Sequence, residues 1–252
     1  MSTDRSIDTD PRLIDSVCDS LGFPVDLAHL VPIVFSACDG LGAAHAPVMR
    51  LLHIAGVSSR TKLIDLACGK GDLSRMIVDR FGAHVTGIDA CGALLREARK
   101  NAQHAKSRRR LRFRRADITS LRSSKHHVAM MIGLLGAEHA PSILRRHVMN
   151  GGYYVFDDAL PHTTRIEARE FVQRSVGANG DELCAWAFVN PASFRKMTAR
   201  NQTDIRTGID AAITIAPRDA TRLRRWFASF QRHAARIADD HIVGYWLVRK
   251  ST

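Results

Sequence analysis

The hydrophobic positions of this chain fall into two rhythms. Short apolar runs of five or six residues alternate with longer stretches in which apolar residues recur every three or four positions. The runs sit near 62–67, 84–88, 127–132 and 152–157, each with the length of a buried strand, and a further strand is expected near 111–115, where Leu111 and Phe113 alternate with arginines. Helical spacing is expected over 71–81, 91–104 and 138–148. Such alternation predicts an α/β domain with a mostly parallel sheet and helices on both faces. Residues 12–57 read as two or three helical segments punctuated by Leu21-Gly22-Phe23-Pro24 and His45-Ala46-Pro47, an N-terminal helical cap over 12–60. Asn190-Pro191 starts a helix expected to reach about Arg200, since Asn caps and Pro suits the first turn. From Arg218 to Asp239, Leu223, Trp226, Phe227, Phe230, Ala234 and Ile237 form one apolar stripe, read as core. Ile242 to Val248 is the expected last strand.

Within this pattern, Leu63-Ile64-Asp65-Leu66-Ala67-Cys68-Gly69-Lys70-Gly71-Asp72-Leu73 runs from a strand through a glycine turn into a helix, and Asp89 ends the next strand 20 residues after Gly69. That is the layout of a nucleotide-type ligand bound over the carboxyl ends of parallel strands. Glycine allows a tight turn and close approach of the backbone. Nicotinamide dinucleotides and S-adenosylmethionine both suit it. Ser74 stands where a dinucleotide fingerprint needs its third glycine, and there is no P-loop. The stretch D-x-A-x-G-x-G, with Ala67 for the first glycine, resembles motif I of the class I S-adenosylmethionine-dependent methyltransferases.

The resemblance continues through Phe81–Asp89, Phe113–Ile118, Val128–Gly136 and Asn150–Asp158, in order, over about residues 60 to 250. It implies a Rossmann-like seven-stranded, mostly parallel sheet whose last strand enters antiparallel. It also implies that the cofactor is S-adenosyl-L-methionine. Gly69 and Gly71 would present backbone amides to the donor's amino-acid part, and Asp65 would orient that loop or bind the donor's ammonium. Asp89 would take the ribose, Asp117 and Ile118 the adenine. Ala67, Ala90 and Ile132 complete the expected donor wall.

The acceptor is less constrained. The fourth strand is followed by Gly133-Leu134-Leu135-Gly136-Ala137-Glu138-His139, without the motifs of nucleobase methyltransferases. This favours a small-molecule acceptor. His139, as general base, and Asp158, as a hydrogen-bond acceptor with His162 nearby, are the catalytic candidates. Asp157-Asp158 resembles a magnesium pair, but no Asp ends the fourth strand, so no metal site is expected. Residues 161–190 are the expected acceptor-side insert within a core over 61–252. Arg165, Arg169 and Arg174 there could meet an anionic acceptor or form a solvated helix face.

Composition changes the picture in one place. The chain has 252 residues, 45% hydrophobic and 25% charged, enough for a large single core. It has no run of 18 apolar residues, and residues 1–11 read as a polar, flexible tail without a signal-peptide core. Five scattered cysteines without C-x-x-C pairing argue against a disulfide scaffold or zinc site and for a cytoplasmic setting. The net charge is +12, and Arg96 to Arg115 holds ten Lys or Arg against Glu97 alone. That segment keeps an RNA methyltransferase open as an alternative. No aromatic interleaves it before Phe113, so a base-stacking platform is missing. A non-catalytic donor-binding protein of the same fold is the third reading. The oligomeric state is left open.

Overall fold

The computed structural model describes residues 18–38 except 20, and residues 45–252 except 107, 135, 137 and 162. The expected 1–11 tail, Leu135, Ala137 and His162 lie outside the described residues. After a 3-10 turn (Val25–Leu30) come α1 (Val31–Val34) and α2 (His45–Ile54). The core then follows as β1 (Lys62–Leu66), α3 (Asp72–Phe81), β2 (His84–Asp89), α4 (Gly92–Asn101), β3 (Leu111–Arg115), β4 (His126–Met131), α5 (Ala140–Leu144) and β5 (Val148–Pro161). It ends with α6 (Arg165–Gly177), β6 (Glu182–Phe188), α7 (Pro191–Ile215), α8 (Ala220–Asp240) and β7 (His241–Arg249).

The seven strands form one sheet in the order β3-β2-β1-β4-β5-β7-β6. Strands β1 to β5 pair parallel, and β7 runs antiparallel to both β5 and β6. Strand β6 therefore points the same way as β5, and the last strand alone is reversed. Alternation along each strand divides the core between the two faces. Leu63, Val85, Val128 and Val155 meet α2 and α3 on one face. Ile64, Ala129, Tyr154 and Phe156 meet α5 and α6 on the other.

The structure extends several elements. Strand β5 runs on through Asp157 to Pro161, because these residues pair with His241 to Tyr245 of β7. Two acids in succession read as a strand end in the sequence, yet here they are ladder residues. Residues 161–190, expected as an insert, contain α6 and the edge strand β6, which are core elements. Helix α6 starts at a capping box: Thr164 accepts from the Glu167 N–H, and Glu167 accepts from the Thr164 N–H. The helix expected to end near Arg200 continues to Ile215.

The real addition to the sheet is the α7–α8 pair. It packs with residues 18–38 in a third apolar cluster, containing Phe23, Leu30, Val34, Ile209, Leu223 and Trp226. Gly208 makes this packing possible, since a Cβ there would run into the carbonyl of Val34. The Trp226 Nε1–H donates to the Leu21 carbonyl at 3.1 Å, and Arg222 makes a two-pronged ion pair with Asp26. The assembly forms a helical roof over the carboxyl ends of the strands.

Candidate functional site

The turn after β1 is built for left-handed backbone. Ala67 has φ 59°, and among the described residues it is the one non-glycine with positive φ. Gly69 and Gly71 follow at 53° and 73°. Behind the turn, Asp65 is buried and its Oδ2 accepts from the Ser74 hydroxyl at 2.5 Å. Burial pushes the Asp65 carboxyl up to about 7. Ser74, which breaks the dinucleotide fingerprint, thus clamps the first turn of α3 to β1. Gly71 faces away from the cavity. A Cβ on it would lie 2.5 Å from the Phe113 ring, and one on Gly87 2.6 Å from the same ring.

Asp89, at the end of β2, holds two loops together. Its Oδ2 accepts from the Gly69 N–H and its Oδ1 from the Cys91 N–H, each at 2.8 Å. Burial raises its pKa, while these backbone N–H bonds pull the other way. With Ala67, Gly69, Ala90, Cys91 and Leu94 it forms one wall of a cavity of about 600 Å³. Ile118 and Ile132 to Leu134 form another wall. Asp157 fixes that second wall from behind, its Oδ1 accepting from the Gly133 N–H at 2.7 Å. Burial raises the Asp157 carboxyl to about 6.

The cavity therefore gathers Ala67, Gly69, Asp89, Ala90, Ile118 and Ile132 of the expected donor set. Asp65, Gly71 and Asp117 are not on its wall. Asp65 supports the turn from beneath, and Gly71 makes room for Phe113. Asp117 turns back on its own loop: Oδ1 accepts from the Thr119 N–H and Oδ2 from the Thr119 hydroxyl, both at 2.8 Å. Both catalytic candidates also lie off the wall. His139 is exposed at the start of α5. Asp158 occupies the space beside Gly136 and accepts from the Ala159 N–H at 2.8 Å. None of the α6 arginines lines the cavity; Arg165 lies over the Phe188 ring and Arg169 over the Trp186 ring. Among the described residues, no three His, Cys, Asp or Glu gather as a metal site, and no helix is long and apolar enough to cross a membrane.

Sequence reading expected a helical cap over 12–60 but not the share of the cavity wall that comes from α7 and α8. Phe35 and Cys38 from the N-terminal segment, Asn201 and Ile205 from α7, and Trp226, Phe230 and His233 from α8 all line the same cavity. The roof is tied to the glycine turn by Lys70, whose Nζ donates to the carbonyls of Ser36 and Cys38 at 2.8 and 2.6 Å. A signal for this face was present. Trp226, Phe230 and His233 follow helical spacing, and Asn201 is a weak helix former inside what proves to be a long helix.

A methyltransferase-domain family model matches residues 63–152. The chain also superposes on the S-adenosylmethionine-dependent methyltransferase of Thiobacillus denitrificans solved with S-adenosylhomocysteine. That match has a TM-score of 0.67 and 18% identity, over 86% of this chain and 96% of that one. The chain has a class I methyltransferase fold. The corresponding enzyme of Geobacter sulfurreducens, also solved with S-adenosylhomocysteine, gives a TM-score of 0.68 at 17% identity, over 87% of this methyltransferase-fold chain and 97% of its own. In sequence, the trans-aconitate 2-methyltransferase of Paracidovorax citrulli is 36% identical over 75 residues. That stretch spans 29% of this chain and 26% of the relative's length.

Proposed function

We propose that this protein transfers a methyl group from S-adenosylmethionine to a small-molecule acceptor. The observation that carries the reading is Asp89. Its two oxygens organise the Gly69 and Cys91 loops, and the residue stands on a cavity wall with lone pairs to spare. A carboxylate with that support suits a ribose diol. Ile118 and Leu94 supply apolar surface for an adenine, and the Gly69 loop allows close approach to the donor's amino-acid end. The donor supplies an electrophilic methyl on a positively charged sulfur. The acceptor's lone pair forms the new bond to carbon as the carbon–sulfur bond breaks toward sulfur, leaving S-adenosylhomocysteine. The protein's work is alignment and exclusion of water beneath the roof.

The small-molecule reading draws support from the roof, whose apolar and aromatic side chains cover part of the cavity above the strand ends. The RNA alternative rests on the basic 96–115 segment, where several arginines already serve the fold. Arg110 donates to the Ser59 and Gly82 carbonyls and Arg115 to the Ala90 carbonyl. Phe113, the aromatic of that run, is packed against Gly71 and Gly87 rather than offered to a base.

Calorimetric titration with S-adenosylhomocysteine tests the reading. Saturable micromolar binding is expected, weakened at least tenfold in Asp89→Ala, as loss of a charged hydrogen bond of roughly 1.5–3 kcal/mol implies. No binding at millimolar ligand would remove the proposal.

A further inference from the structure

The roof side of the cavity differs in chemistry from the strand side. Val31, Phe35, Ile205, Trp226 and Phe230 make it apolar and aromatic. No Lys or Arg is among the described lining residues, and Asp89, the one carboxylate, belongs to the strand side and already holds two N–H groups. Three polar side chains face the chamber from the helices. Ser229 and His233 are exposed at its mouth, while Asn201 is half-buried. The Asn201 carboxamide makes no hydrogen bond within the described structure, although it sits in the interior of α7, where Asn is a poor helix former. A polar group held without a partner among apolar walls is suited to a ligand atom.

We infer that this chamber is the acceptor site, that it takes an uncharged, largely aromatic molecule carrying a hydroxyl or carbonyl, and that the Asn201 carboxamide hydrogen-bonds that oxygen. The inference rests on the methyltransferase reading for the word acceptor, but the chamber's selectivity does not depend on it. With the neutral-sulfur product S-adenosylhomocysteine bound, an anion entering here would lose its hydration without meeting a Lys or Arg among the described lining residues, which is costly. A neutral aromatic would stack against Trp226 and Phe230 at little desolvation cost. The carboxamide can donate and accept, so it serves either oxygen type. It carries no charge and would position the acceptor rather than deprotonate it.

The test uses 1-naphthol, neutral at pH 7, with naphthalene and 1-naphthoate as controls. Binding to the full chain is followed by tryptophan fluorescence and calorimetry, with and without saturating S-adenosylhomocysteine. Naphthol is expected to bind at least tenfold more tightly than naphthoate. Asn201→Leu should weaken naphthol about two- to tenfold while leaving naphthalene equal or tighter, because one neutral hydrogen bond is lost. Arg225→Ala, exposed on α8 and off the cavity wall, should leave naphthol within about twofold. Naphthoate binding as well as naphthol, or Asn201→Leu weakening naphthol and naphthalene alike, would overturn the inference. So would failure of naphthol to bind at all. If S-adenosylhomocysteine fails to bind while naphthol behaves as expected, the donor reading falls and the chamber stands.

Discussion

Both ends of the central strands carry buried acids, and the two sets of acids are used differently. At the carboxyl ends, Asp65, Asp89 and Asp157 each hold a loop through a hydroxyl or backbone N–H, and Asp89 also borders open space. At the amino ends, Asp181 is consumed by its own chain. Its Oδ2 accepts from the Tyr154 hydroxyl at 2.8 Å and pairs with Arg145 Nε at 2.6 Å, while Oδ1 accepts from the Ser251 N–H at 2.9 Å. Burial and its acidic partner raise the Tyr154 hydroxyl's pKa far above the usual range. Perturbed ionisable groups occur at both ends, so perturbation alone does not mark a site. The cavity beside the group distinguishes them: a saturated network stabilises the fold, and an acid with a free flank can receive a ligand.

Breaking the amino-end network should have the largest effect. Asp181→Leu leaves the Tyr154 hydroxyl and the Arg145 guanidinium without their shared partner. It is expected to destabilise by roughly 3–5 kcal/mol in urea unfolding, with S-adenosylhomocysteine affinity unchanged in the protein that remains folded. Weakened ligand affinity in the folded fraction would mean the two ends are coupled.

Acid–base titration should separate the ends by sign. Folded Asp65 keeps its proton from the ordinary 3.8 up to about 7, so over that window the folded state binds more protons than the unfolded chain. Stability then falls as pH rises through the window. His147, fully buried at the amino end, is pushed down from 6.5 to about 4 by burial first and then by Arg146 and His126. The unfolded chain binds the extra proton there, and stability falls as pH drops through that range. The two windows overlap between about 4 and 6.5, where the slopes oppose each other. In denaturant unfolding across pH, Asp65→Asn should therefore make stability rise more steeply with pH there, and His147→Gln should make it fall. Slope changes of the same sign in both variants would refute the division.

The smallest effect concerns the turn itself. Ala67 at φ 59° stores backbone strain of roughly 1–2 kcal/mol, partly offset by the greater freedom glycine has when unfolded. Ala67→Gly should raise stability by less than about 1 kcal/mol in thermal or urea unfolding, and a destabilised variant would show that its methyl packs usefully.

The sheet and its turn were legible because their signals are local. Buried runs such as Leu63 to Leu66 and Val128 to Met131 carry their own length and composition, and the glycine turn and Asp89 are fixed by chain spacing. Strand β6 carries a continuous apolar run from Leu183 to Val189, yet it was absorbed into the insert expected over 161–190; it lies at a sheet edge, where its side chains are exposed or half-buried. Asp117 and Gly71 kept their places relative to the turn, yet their side-chain space went to Thr119 and Phe113, which spacing cannot reveal. The α7–α8 share of the roof was illegible for a further reason. Its walls come from residues about 20, 35, 200 and 230, and only packing brings them together.

The close contact between Gly208 and Val34 also sets a timetable. The helices around Val34 leave the ribosome before the surface that receives them, which is synthesised about 170 residues later. Until α7 and α8 arrive, Phe23, Leu27, Leu30 and Val34 lack their partners Ile209, Leu223 and Trp226, and the pocket's ceiling is incomplete. Closure of the roof is thus a late, long-range step that follows assembly of the sheet. A ribosome-stalled chain ending before Pro191 would present the strand ends and the Asp89 loop open to solvent, together with an unsheltered, chaperone-accessible N-terminal segment.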